Sequence, residues 1–457
     1  MANKFLQSYR KIVLAIIAFL VIVVFVGGAL IQAIKVNTDF NSVDQLAYMK
    51  YAKNLAETNF QFVGGRNRMP LYPSIMALMY KKGISEYDFF LRGKIFGILI
   101  GITGSIVTFL ILRSISESLE TITGTLVAMF TVFVYKSPYF QADVLFYIIG
   151  LVLFFLIIRL IKTPDFFTAI SAGIVAGVGY LTKASVLPGV LLAAVLLLFR
   201  GFFVFWKRYR SQKEDCKGEE SFVLLRNIFY VLLFLGCYLA VIYPYIKTSK
   251  ERFGRYFYNV NSTFYMWYDS WGEVKKGTRA HGDRQGWPDM PEKEIPSFQR
   301  YISENTPKKI IARLGNGYIM IIKFVFQSYG YAKFILFYAF NLTLLIYQNL
   351  DKFLKHFFKS YNWLILTFVM GYFIGYTTLY AWYTPIAYGN RFVLSLFLPA
   401  VFLFVWIITF ARKNNLNFNF LGREISASYI SPAVLLFLIS YLIADYPFDI
   451  QRIFGGR

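Results

Sequence analysis

Asp39 and Asp44 follow the first hydrophobic span of the chain, with Tyr48 one helical turn beyond Asp44. About twenty residues later Arg66 and Arg68 lead into a turn made by Met69, Pro70, Leu71, Tyr72 and Pro73. Uncompensated charge beside a membrane span costs several kcal/mol, so such residues are kept mainly for chemistry or transport. A carboxylate in this position can take a proton from a hydroxyl, and a guanidinium fork matches phosphate oxygens. A nearby arginine would keep the acid ionised. Plainer roles exist for the same residues. Asp44 fits the N-cap or first turn of a short interfacial helix over 43–55, a place that Asn41 or Ser42 could equally fill, and Asp39 fits a solvated loop acid.

The elements that carry these residues are membrane helices. Hydrophobic residues make up 57% of the 457-residue chain and charged residues only 16%. The apolar residues gather in runs of about 20, the length that crosses a bilayer as a helix. Runs such as 144–161 do not alternate as barrel strands do. The fold class expected is therefore an all-α polytopic membrane protein of about eleven spans. They are expected near 12–34, 95–114, 119–135, 143–161, 166–181, 185–206, 227–246, 331–349, 363–380, 391–411 and 427–444. The stretch 310–326 carries Arg313 and Lys323 and reads as interfacial or half-buried. Three parts are expected: an N-terminal module 1–246 that includes the first external loop 35–94, a large external loop 247–330, and C-terminal helices 331–457.

Lys4, Arg10 and Lys11 precede a first span too long for a signal-peptide core, which predicts an uncleaved anchor with its N-terminus in the cytoplasm. The basic short loops agree, with Lys207, Arg208, Arg210, Lys213 and Lys217, then Lys352, Lys355 and Lys359, then Arg412 and Lys413. The formal charge of +23 comes partly from these anchors and partly from external cations such as Lys81, Lys82, Lys247, Arg252 and Arg255. An excess of cations outside suits an anionic lipid substrate, and the chain offers no soluble basic module for nucleic acid.

Cys216 falls in an expected cytoplasmic loop and Cys237 in a span, so no disulfide is expected. With only two histidines, His281 and His356, zinc is disfavoured. No cofactor is firmly implied, and an oxygen-ligated divalent cation at Asp39 and Asp44 stays open. In the loop 247–330, Trp267, Trp271 and Trp287 suit interfacial anchoring or sugar stacking, and His281 is a candidate acceptor contact.

Several motifs in order resemble those of GT-C fold glycosyltransferases. Asp44 and Tyr48 after the first span, then Asn67 to Pro73, look like that fold's first external loop. Ser137 to Asp143 resembles its second loop, where an acid heads the fourth span. Gly177 to Pro188 resembles a Gly-x-x-x-Leu-Thr-(Arg/Lys)-Pro turn, Tyr243 to Tyr245 with Phe253 and Gly254 resembles the start of the large loop, and Arg391 heads a late span. The subgroup most resembled is that of the protein O-mannosyltransferases and lipid A aminoarabinose transferases, in glycosyltransferase family 39. Three departures from the pattern stand out: Gln45 replaces an acid, Ala184 a proline, and Thr248 with Ser249 an Arg-Asn pair.

The resemblance implies transfer of a sugar from a polyprenyl-phosphate donor to an acceptor hydroxyl or phosphate on a glycolipid, cell-envelope polymer or protein. The expected place is the outer face of a bacterial inner membrane. Such chemistry needs a base, cations for the departing phosphate and a greasy groove for the isoprenoid tail. Asp44 is the expected base, with Asp143 a second catalytic candidate. Arg68, Lys183, Arg391 and Arg66 are expected at the donor phosphate, with Lys247 and Arg255 as weaker candidates, and Tyr48, Asp39 and Tyr72 around the substrate pocket. Lys183 and Arg391 fit equally well as end-of-span cations that snorkel to the interface. A polymerase or ligase using a diphosphate-linked donor, and an anionic lipid transporter or flippase, are the competing readings.

Overall fold

The computed structural model describes residues 2–210, 219–328, 330–359, 362–387 and 389–447. Lys213, Cys216 and Lys217 lie outside the described residues. Helix α1 (Ala2–Ile31) runs into a π-helical turn at Gln32–Val36, and α2 (Gln45–Glu57) and α3 (Leu71–Ala77) are short helices of the first long loop. Then come α4 (Glu86–Arg113), α5 (Ser118–Ala128), α6 (Val134–Lys136), α7 (Asp143–Lys162), α8 (Phe166–Thr182), α9 (Leu187–Arg210) and α10 (Glu219–Phe253). The second long loop holds α11 (Val260–Thr263), α12 (Trp271–Lys276) and α13 (Phe298–Glu304). It leads into α14 (Pro307–Phe326), α15 (Tyr331–Gln348), α16 (Leu350–Phe357), α17 (Asn362–Tyr383), α18 (Arg391–Leu394), α19 (Phe397–Lys413) and, last, α20 (Ile430–Ala444).

The chain is an integral membrane protein, nearly all-α. Among the described residues nine helices are long and apolar enough to cross a bilayer, or up to ten if one bent pair counts as a span. Apolar side chains face outward on these helices. Phe19, Leu110 and Leu232 are 64%, 60% and 64% exposed, a pattern that lipid satisfies and water would not. Two of the eleven expected spans fall short of this measure. Helix α8 is apolar but only 17 residues long, and α15 qualifies only together with α14, from which it is bent by 99°. The stretch expected to be interfacial is α14, where Arg313 is buried.

Polar caps set where the helices start. The Ser85 hydroxyl accepts from the Asp88 N–H, Asp165 accepts from the Thr168 N–H, and Thr306 caps α14 just ahead of Pro307. Gly173 and Gly177 let α8 lie against α10, since a Cβ at Gly173 would overlap the Phe234 carbonyl oxygen. One exception to the all-α expectation follows α19. Strands β1 (Asn417–Phe420) and β2 (Arg423–Ser426) form an antiparallel hairpin whose two-residue turn puts Leu421 and Gly422 at φ 50° and 76°.

One apolar core joins the spans, and two smaller ones lie under the long loops. The first-loop core contains Tyr48, Tyr72, Phe89 and Phe140. The second-loop core contains Phe253, Tyr258, Phe264 and Tyr265. These two cores seat the loops that meet at the site.

Candidate functional site

Gln45 and Asn37 set the position of Asp44. The Gln45 side chain, fully buried, accepts from Asn37 Nδ2 and from the Phe140 N–H, both at 2.9 Å, and donates back to Asn37 Oδ1 at 2.8 Å. Asn37 also donates to the Pro138 carbonyl at 2.8 Å, so the first loop is tied to the turn that opens α7. A carboxylate cannot donate, and position 45 is a clamp that must both give and take hydrogen bonds. The clamp brings Asp44 beside the loop carrying Asp143. With its amide oriented to satisfy both neighbours, Gln141 donates to Asp143 Oδ2 at 3.1 Å and accepts from the Asp44 N–H at 3.2 Å.

Asp44 occupies the N-cap position of α2, yet its carboxylate makes no capping hydrogen bond. Its two oxygens instead form ion pairs with Arg68 and Arg391. Burial pushes the carboxyl pKa up, but the two arginines outweigh that push and hold it below the ordinary carboxylate value. The acid is therefore ionised. Val43, directly before it, sits at φ 51°, a conformation that a β-branched residue rarely adopts.

Each cation reaches the site from a different element. Arg68 lies between α2 and α3, donates to the Asn67 carbonyl at 2.9 Å, and stands 5.7 Å from the Tyr48 ring centroid. Behind Tyr48, Tyr72 makes an edge contact at 5.4 Å and then contacts Phe140 at 5.9 Å. Arg391 heads α18 and is anchored by its own carbonyl, which accepts from the Tyr147 hydroxyl at 2.7 Å. Lys183 follows the last residue of α8, pairs with Asp143, and lies 5.3 Å from the Phe146 ring.

Asp44, Tyr48, Arg68, Lys183 and Arg391 line one cavity of about 360 Å³. The other candidates lie elsewhere. Asp143 is 5% exposed and sits behind Lys183. Tyr72 forms the layer beneath Tyr48 rather than the wall. Arg66 turns away at φ 55°, stacks 4.0 Å from the Tyr245 ring, and donates to the Tyr245 carbonyl and the Thr248 hydroxyl at 3.2 and 2.6 Å. Asp39 is exposed and accepts from the Asn41 N–H at 2.8 Å within its own turn. Lys247 pairs with Glu251 one turn on in α10, and within the second loop Arg255 stacks on Trp287 and His281 Nδ1 contacts the Gly277 carbonyl. Among the described residues no group of three or more His, Cys, Asp or Glu side chains could hold a metal ion.

The wall that sequence reasoning missed is the segment after Gly254. Phe257, Asn259, Asn261 and Ser262 line the same cavity as Asp44. Asn261 donates to the Asn67 carbonyl at 3.1 Å and the Val260 N–H to the Arg66 carbonyl at 3.3 Å, which docks the second loop onto the first. The short polar residues Asn259, Asn261, Ser262 and Thr263, five and more positions after Gly254, were the available signal.

A second, apolar groove of about 550 Å³ adjoins the cavity and shares Pro188, Met266 and Leu379 with it. It lies between α9, α14 and α17 and is walled by Trp267, Phe298, Ile310, Leu314 and Tyr372. Asp269 fixes its rim by pairing with Lys309 and Arg313, both at 2.8 Å, and Arg313 stacks 4.2 Å from the Trp382 ring. A cationic chamber with an ionised acid thus adjoins an apolar groove. An amphiphile with an anionic head and a long apolar tail matches both parts.

No protein-family model matches the chain, and no curated protein sequence matches it.

Proposed function

We propose that the protein is an inverting, GT-C type glycosyltransferase that moves a sugar from a polyprenyl-phosphate donor to an acceptor hydroxyl or phosphate. The observation that carries the reading is the junction at Leu379 and Met266, where the chamber of Asp44, Arg68, Lys183 and Arg391 meets the apolar groove. In this reading the donor phosphate sits among Arg68, Lys183 and Arg391, and its isoprenoid tail lies in the groove. The sugar then faces Asn67, Asn261 and Ser262, with the acceptor, a glycolipid, cell-envelope polymer or protein, entering beside Asp44. The reaction takes place at the outer face of the membrane, and the loops 35–94 and 247–330 form the external part.

Asp44 acts as the base. The acceptor oxygen bonds to the anomeric carbon while the bond from that carbon to the phosphate oxygen breaks, and the acceptor proton passes to Asp44. The departing polyprenyl phosphate gains negative charge, which the cations stabilise. Asp44 must release an arginine to receive the proton, and the phosphate is the anion that draws it away. Asp143 is a positioning residue in this scheme, acting through Lys183.

The test is a transfer assay in membranes with a polyprenyl-phosphate sugar. Asp44→Asn lowers turnover by about 100-fold or more while donor binding stays measurable, and Arg68→Ala impairs both. Transfer that survives both changes would overturn the reading, as would activity with a diphosphate-linked donor alone.

A further inference from the structure

At the end of α19 away from Arg391, a small apolar slot runs between α16, α17 and α19, walled by Phe353, Phe357, Val369, Leu403, Trp406 and Phe410. His356 is its one polar lining residue, and its ring packs on Phe410 with centroids 4.1 Å apart. The slot is distinct from the cavity and groove described above and shares no residue with either.

Cations gather around it. Lys162, the last residue of α7, and Lys359, just after α16, are both exposed and are the charges that act on His356. Helix α16 adds Lys352 and Lys355, and its only acid, Asp351, lies about 140° round the helix from His356. Lys162, Lys352, Lys355 and Lys359 make no ion pair among the described residues. Like charges held together repel, and an anion placed among them relieves that cost. On its other side α16 exposes Leu350 and Leu354, at 47% and 42%, and the residue that ends it, Phe358, is 67% exposed, as in a helix lying in the lipid interface.

We propose that this end of the bundle binds an anionic membrane phospholipid, a few carbons of one acyl chain entering the slot of about 70 Å³ between α17 and α19 and the phosphate held by Lys162, His356 and Lys359. Charge selects this occupant. A zwitterionic headgroup brings its own cation to the phosphate, so the collar gains less from it than from a headgroup with net negative charge. An acidic protein segment would meet the collar but leave the buried slot unfilled.

The experiment uses the full chain in detergent, titrated with phosphatidylglycerol, phosphatidylcholine or soluble glycerol phosphate. Its readouts are the thermal unfolding midpoint and the lipid retained in native mass spectrometry. Phosphatidylglycerol is expected to raise the midpoint by several degrees and to stay bound, and the other two are not. The double variant Lys162→Gln with Lys359→Gln, at exposed positions that leave the fold intact, loses most of the shift and of the retained lipid. Leu403→Trp, which fills the slot, loses the shift with the collar in place. The proposal is overturned if phosphatidylcholine or glycerol phosphate stabilises as well as phosphatidylglycerol, or if the double variant keeps the full shift.

Discussion

Asp44 and Arg391 stand 347 positions apart in the chain and meet as an ion pair between the start of α2 and the start of α18. Arg68 takes the other oxygen of the same carboxylate. The candidate base is therefore paired with two of the candidate phosphate-binding groups, and a phosphate must compete with Asp44 for its arginines.

The pair sets the pH response. Burial raises the Asp44 pKa and the two arginines more than reverse it, so the folded value lies below that of an ordinary aspartate. For an acid depressed in this way, the stability gained from pairing is present above the unfolded pKa and lost as pH falls through the folded one. Under the proposed mechanism the acid limb of transfer lies below the ordinary carboxylate range. Arg391→Ala leaves burial less opposed and shifts that limb upward. A pH profile of both proteins checks this, and an unmoved limb would show that another group titrates.

Arg66 and Arg68, two residues apart, should behave differently. Arg66→Ala removes a stacked, hydrogen-bonded cation from the seam between the two long loops, which costs about 2 kcal/mol of stability and leaves donor affinity nearly unchanged. Thermal unfolding together with donor binding separates the two variants. An Arg66→Ala protein of normal stability that had lost donor affinity would contradict this division.

Gln45→Leu deprives the Phe140 N–H and the Asn37 amide of their buried partner, at a cost of about 1–3 kcal/mol. Because the clamp aligns the first loop with the turn opening α7, turnover should fall together with the unfolding midpoint. Wild-type stability in this variant would mean that the clamp is dispensable.

Val43 holds a left-handed conformation and is 68% exposed, so Val43→Gly relieves strain and gives up little burial. Set against the entropy of an added glycine, the net gain is about 1 kcal/mol. Calorimetry or a denaturation curve reads this directly, and a lower midpoint would assign the valine side chain a contact of its own.

Gly375 lines the apolar groove, and a Cβ there would meet no atom within 4 Å. Gly375→Phe should fold normally and fill the groove. Transfer from long-chain donors is expected to fall about 10-fold or more while short-chain analogues are spared, since each buried methylene is worth about 0.8 kcal/mol. Equal losses with both donors would place the tail elsewhere.

Much of the architecture was legible from hydropathy, because a chain in lipid must bond its own backbone and long apolar runs leave few other solutions. The spans expected at α8 and α15, which fall short of the length needed on their own, show the limit. Length against a bilayer separates a crossing helix from a packed one only when the helix is long enough. Asp44 and Arg68 were also legible, since they share one loop and local spacing bounds how far apart they can lie.

Composition and order along the chain thus determined a helical membrane protein with an acid and basic residues beside its first span, and marked Lys183 and Arg391 as cations at span ends. Tertiary structure alone decided that these two converge on the same chamber while Arg66, Asp39 and Tyr72 do not line it, that Phe257, Asn259, Asn261 and Ser262 form part of its wall, and that an apolar groove adjoins. The reason is physical. Local propensity and hydropathy depend on neighbours within a turn or two, whereas whether a cation snorkels to lipid or reaches a carboxylate depends on how helices hundreds of residues apart cross and pack.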